Sequence, residues 1–150
     1  MPESTSTGST AFARAVKAVQ LQLEGAAVSA NVFRNRSRVV PRDMATAVVV
    51  RSSQADGETP AGCGSSSQWQ LVLAVECYAR ARAGVDLEDA LDALLLGVTD
   101  AVAADRTLGQ VVADIAPVGV HWDFDVDGEK TGCATVTFIV QQFTAAASLS

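Results

Sequence analysis

The stretch from Gln68 to Asp105 constrains the fold most. Trp69, Leu71, Leu73, Val75 and Cys77 alternate with Gln68, Gln70, Val72, Ala74, Glu76, Tyr78 and Arg80. Successive side chains of a strand point to opposite faces, so this pattern predicts a half-buried strand. The second face is mixed, with Val72, Ala74 and Tyr78 among the charges, which suggests that it too is partly covered. Gly84 interrupts the run, and Asp86 stands where a helix N-cap belongs, with Asp89 three residues on as a weak capping box. Leu87, Leu91, Leu94, Leu95, Val98 and Val102 then recur at helical spacing as one apolar stripe. A long strand feeding a long amphipathic helix is half of a sheet-plus-helix core.

The remainder supplies the other half. Residues 1–10, rich in Ser and Thr, read as a flexible tail. Thr10 or Ser9 can cap a first helix whose inner face is Phe12, Ala15, Val16, Val19 and Leu23, with Gly25 as its stop. Val32-Phe33 suggests a short strand, and Pro41 argues against one continuous strand from Asn31 to Arg51. Ala45–Val50 is apolar on both faces, which suits a central or covered strand. Residues 52–67, SSQADGETPAGCGSSS, read as a long loop. Val118, Val120, Trp122, Phe124 and Val126 alternate with Gly119, His121, Asp123 and Asp125, a strand expected to turn its apolar side inward. Asp127-Gly128 marks a hairpin turn, and Cys133–Phe143 is the return strand. Residues 145–150 read as a second tail. The expectation is one α+β domain over 11–144. Its sheet is antiparallel or mixed, of about four strands, with two main helices packed on one face.

Charge is unevenly divided along the chain. Residues 1–85 sum to +3, residues 86–129 to −10, and Lys130 brings the whole to −6. Such a split favours opposite patches on one subunit and head-to-tail association. Arg34, Arg36, Arg38, Arg42 and Arg51 are five arginines within eighteen residues. The acidic total, the scarcity of interleaved aromatics and the lack of a nucleic-acid motif favour an interface over a nucleic-acid patch.

Chemical motifs are sparse. Cys63, Cys77 and Cys133 show no CxxC spacing and His121 is the one histidine, so no zinc pattern is present. The loop at 52–67 lacks the GK[ST] of a phosphate loop. Asp123-x-Asp125-x-Asp127-Gly128 opens like a calcium loop. Its twelfth position is Ala134, its flanks are strands, and an extended chain does not wrap an ion. His121 lies beside Asp123 without an evident nucleophile. These residues predict no catalytic site, metal or cofactor. The polar N-terminus lacks the apolar run of a signal peptide, and no run approaches a membrane span, so assembly in a cytoplasm is expected.

In order, several phrases resemble the tail terminator proteins of long-tailed phages, the minor-tail-protein-U-like family. They are the strand with Trp69, Gln70, Glu76 and Tyr78, the acid-capped helix Asp86–Ala104, the turn Thr107-Leu108-Gly109, Trp122-Asp123-Phe124-Asp125, and the closing strand Ala134–Val140. The first helix and the ATAVVV strand fit the family's opening. The resemblance covers the second half of the chain best. It implies a non-enzymatic virion protein, a self-associating ring, usually a hexamer, on the head-proximal end of the tail tube. Its partners would be the tail tube protein and a head-completion protein, with DNA only as cargo through the lumen and no membrane. By that analogy Arg34, Arg36, Arg38 and Arg42, with the loop at 52–67, fall at subunit or tube contacts, and Asp123 and Asp125 face the lumen or a neighbour. The mixed strand face with Glu76, Tyr78 and Arg80 is a further candidate contact. A head–tail connector or stopper follows the same ring logic, and a calcium- or ligand-binding module around Asp123–Asp127 is the reading from another class.

Overall fold

The computed structural model describes residues 8–34, 44–58, 66–82, 84–124, 131–145 and 148–150. Along them run α1 (Ala11–Gly25), β1 (Val32–Arg34), β2 (Thr46–Glu58), β3 (Ser66–Arg80), α2 (Leu87–Ala104), β4 (Asp114–Phe124) and β5 (Thr131–Ala145). They form a two-layer α+β domain. One five-stranded mixed sheet has the order β1-β2-β3-β5-β4, antiparallel except for the β1–β2 pair. Both helices pack on one face of it. The strand total exceeds the expected four because β1 pairs as a separate edge strand.

The alternation read in β3 is the spine of the core. Leu71, Leu73, Val75 and Cys77 are buried beneath the helices, together with Val48, Val50, Val136, Phe138 and Val140 of the neighbouring strands. Thr10 caps α1, its hydroxyl oxygen accepting from the Ala13 amide at 3.1 Å. The face Ala15, Val16, Val19 and Leu23 is buried as expected. The left-handed residue after α1 is Ala27, not Gly25. The Asp86 carboxylate caps α2, accepting from the Glu88 amide at 2.8 Å. Such a cap satisfies N–H groups that have no partner inside the helix. Gly84 takes a φ of 78°, a left-handed turn open to glycine, between β3 and α2.

Three expectations are corrected. Residues 52–58 are not loop: β2 continues to Glu58 and pairs with β3 down to Glu58 opposite Gln68, after a register shift between Ser52 and Gln54. Ser66 and Ser67 likewise belong to β3, so only 59–65 of that loop, with Cys63, lie outside the described residues. The C-terminal end is tied as well. β5 reaches Ala145, and the Leu149 carbonyl accepts from the Ala11 amide at 2.7 Å. The turn at Asp127-Gly128 and most of the N-terminal tail lie outside the described residues.

The third correction concerns β4. Ile115 is buried, but Val118, Val120, Trp122 and Phe124 are 43–60 % exposed. Opposed residues in an antiparallel pair share a face. Val120, Trp122 and Phe124 oppose Val136, Ala134 and Gly132, so they do point to the helix side. There they project past the edge of α2, which sits over Gly132 through Leu87 and Leu91. A register shift between Pro117 and Gly119 interrupts the strand, and Pro117 itself fits an edge strand, where a missing N–H is tolerated.

The Trp69 end of β3, paired there with Gly57 of β2, is fastened to α1. Trp69 makes an edge-on contact with Phe12 at 5.2 Å between ring centres and donates its indole N–H to the Thr144 hydroxyl at 3.0 Å. Its ring lies over Gly57, where an added Cβ would come within 2.5–2.7 Å of three ring atoms. Gly57→Ala should therefore displace the ring and lower stability by roughly 1–3 kcal/mol, the range for overpacking a filled site, read as a reduced urea midpoint. Leu91→Ala should cost about 2–5 kcal/mol by opening a core cavity. Trp122→Ala should cost under about 1 kcal/mol, since half of the ring already faces solvent. Urea unfolding of the two variants side by side checks this contrast.

Candidate assembly surface

Two surfaces emerge from this sheet. The first is its helix-free face. In β3, Glu76, Tyr78 and Arg80 point there, half-buried between the side chains of β2 and β5. Glu76 Oε1 accepts from Arg51 Nη2 at 3.0 Å and from the Tyr78 hydroxyl at 3.0 Å. Arg80 Nη1 donates to the Thr131 hydroxyl at 2.9 Å. Register then sets two cross-strand rows: Tyr78, Cys133 and Asp123 in one, Glu76, Thr135 and His121 in the next. The sequence places Glu76, Tyr78 and Arg80 on one strand face; that Asp123 lies in the same cross-strand row comes from the sheet register.

Two groups of this face are held in their protonated forms. Burial pushes the Tyr78 phenol well above its ordinary value, and the nearby Cys133 and Glu76 add to the shift. Burial also raises the Cys133 thiol. Cys77, on the core face, is pushed up to about 12, again mainly by burial. Neither thiol offers a thiolate at neutral pH, and both are free cysteines.

The second surface went unforeseen. Trp122 and Phe124 join Glu88, Asp89 and Asp92 of the first turns of α2 around an open groove of about 460 Å³. Among the described residues, none of these three acids nor Asp123 forms an ion pair. The sequence showed the alternation of β4 and the acidic start of α2. Which strand lies beyond the reach of the last helix depends on sheet order, which the pattern of a single strand does not contain.

Arg34 does not join the other predicted residues. It ends β1 at the opposite edge, exposed and opposite Val50, hence on the helix side. Four strand spacings, about 19 Å at ~4.8 Å each, separate β1 from β4, so Arg34 and Asp123 cannot pair within one subunit. Arg36, Arg38, Arg42 and Asp125 lie outside the described residues. The ends of the calcium-like frame diverge: Asp123 points to the helix-free face, while Ala134 is buried under the helices. No group of three His, Cys, Asp or Glu among the described residues is placed to hold a metal ion. No described helix is long and apolar enough to cross a membrane.

The turn Thr107-Leu108-Gly109 is organised by Asp105. Its carboxylate accepts from the Thr107 hydroxyl at 2.8 Å and from the amides of Thr107 and Gly109 at 3.0 and 2.8 Å. These bonds, led by that of the hydroxyl, hold it below the usual carboxylate range. Leu108, Gly109 and Gln110 are all left-handed, and Leu108 is buried as a plug beneath the turn.

The class this geometry defines is thus a small two-layer α+β domain with two unlike edges and polar surfaces suited to contact. No protein-family model matches the chain, and no curated protein does.

The raised thiols set an alkaline limit. A group whose pKa is higher folded than unfolded binds more protons in the native state, so stability falls with rising pH. For Cys77 that loss begins near 9.0, its ordinary value, and continues to about 12. Urea unfolding should show a plateau below pH 9 and a falling midpoint above it. Cys77→Ser should flatten part of that slope. A thiol reagent at pH 8 should modify Cys77 and Cys133 only after denaturant is added, as read by peptide mass spectrometry.

Proposed function

We propose that this chain is a structural virion protein of a long-tailed phage. It closes into a ring, taken as a hexamer, on the head-proximal end of the tail tube. There it ends tube polymerisation and presents the surface to which the head joins. One observation supports this reading beyond the order of sequence phrases: among the described strands the sheet ends in two edges of different character, about 19 Å apart. The β4 and α2 flank carries Glu88, Asp89, Asp92 and Asp123. Arg34 stands on β1 with Glu24 of α1 beside the strand, and Arg14 and Lys17 are exposed further along α1, which packs over β1 and β2. Unlike edges on one subunit suit heterologous contacts, which form a ring when the rotation closes. The helix-free face, with its neutral tyrosine and its Arg51–Glu76 pair, suits contact with the tube or the head-completion protein better than it suits chemistry. In this role the chain needs no cofactor, and DNA passes it only as cargo.

Deletion of the gene in its phage tests the role. Overlong tail tubes and unjoined heads in the lysate, with unit-length tails restored by the chain in trans, are the expected outcome. Unit-length tails that fail to retain heads would assign the chain to a connector or stopper of the neck instead. Infectious particles of normal form would remove both roles.

A further inference from the structure

We infer that the groove between β4 and the start of α2 receives a second copy of this chain, entered by the β1 edge that carries Arg34. This joint deepens the ring reading and rests on it. The first argument is that the groove is chemically unfinished. Trp122 and Phe124 are 51 % and 44 % exposed, on a strand whose alternation is that of a buried one. β4 is also an edge strand of eleven residues, with a row of backbone groups unpaired by any described strand. Such an edge is a template for pairing with another chain unless it is blunted.

The second argument is charge. Glu88, Asp89 and Asp92 form one wall of the groove and have no cation of their own among the described residues. A groove with an aromatic floor and a carboxylate wall suits a guanidinium. It can lie against the indole face while it donates to the acids. Among the described residues Arg34 is exposed, makes no ion pair and ends the opposite edge strand, on the same side of the sheet as Trp122. A β4-to-β4 pairing would set the two acidic walls against each other. A β4-to-β1 pairing sets acid against base and leaves an edge of each kind, among the described strands, for the next copy, so it repeats from subunit to subunit and gives a ring when the rotation closes.

Analytical ultracentrifugation of the full chain tests the joint, with a far-UV spectrum and a urea midpoint recorded for each variant. Trp122→Ala with Phe124→Ser should stay folded and weaken self-association by roughly 30-fold or more, the loss typical of a central aromatic anchor. Arg34→Glu and Asp92→Arg should each weaken it about tenfold. The two together in one chain should return it to within about threefold of wild type. Association untouched by Arg34→Glu, a double variant no better than its singles, or a wild-type chain monomeric at millimolar concentration would each overturn the joint. Rings that form normally in every variant would overturn the joint and leave the ring reading standing. A confirmed joint in a chain whose deletion leaves tails and heads normal would sink the tail role and leave the joint.

Discussion

The structure depends on the double pairing of β3. This strand pairs with β5 from Ser66 to Arg80 and with β2 from Gln68 to Ala79. A buried strand cannot leave its N–H and C=O groups without partners, because each unpaired group forfeits its hydration for nothing. Its core side chains lie beneath α2, and at its start Trp69 meets Phe12 of α1. The cost of ordering fifteen residues in one extended run is offset by burial on one face and by pairing on both sides, broken on the β2 side by the Ser52–Gln54 register shift.

Two helices on five strands leave the sheet unevenly covered. α1 takes β1 and β2, and α2 takes β3 and β5. β4 is covered at Ile115 and then runs out beyond the helix. The apolar alternation of that strand is therefore not a core signature here. It leaves Trp122 and Phe124 as an exposed apolar surface beside the acidic first turn of α2. The same carboxylates favour the positive end of the α2 dipole, so one set of residues serves both the helix and the groove.

Legibility followed periodicity. Both helices, their caps at Thr10 and Asp86, and the three longest apolar strands were readable because each carries its own pattern of two or 3.6 residues. The stretch Ser52–Glu58 was misread because Ser, Gln, Asp, Gly and Glu have weak strand preference and no apolar alternation. It is a strand because β3 offers it a ladder, and tertiary pairing overrides local propensity. Glu76, Tyr78 and Arg80 could be grouped from parity within one strand, whereas Asp123 joins them only through the register of β5 with its two neighbours. Arg34 could not be placed, since its edge and face depend on a parallel pairing three residues long.

The amino-acid sequence by itself determined the two helices and the strands that carry an apolar alternation, which side of each is apolar, and that positive and negative charge fall in different parts of the chain. These are local properties, written in side-chain spacing and type. Only the tertiary structure decided that β1 and β4 are the two edges, that Arg34 and the acids of α2 stand at opposite ends, and that Trp122 and Phe124 remain in solvent. Strand order arises from contacts between residues far apart in the chain, and exposure arises from where a neighbouring element stops. Neither quantity is carried by any single stretch of sequence.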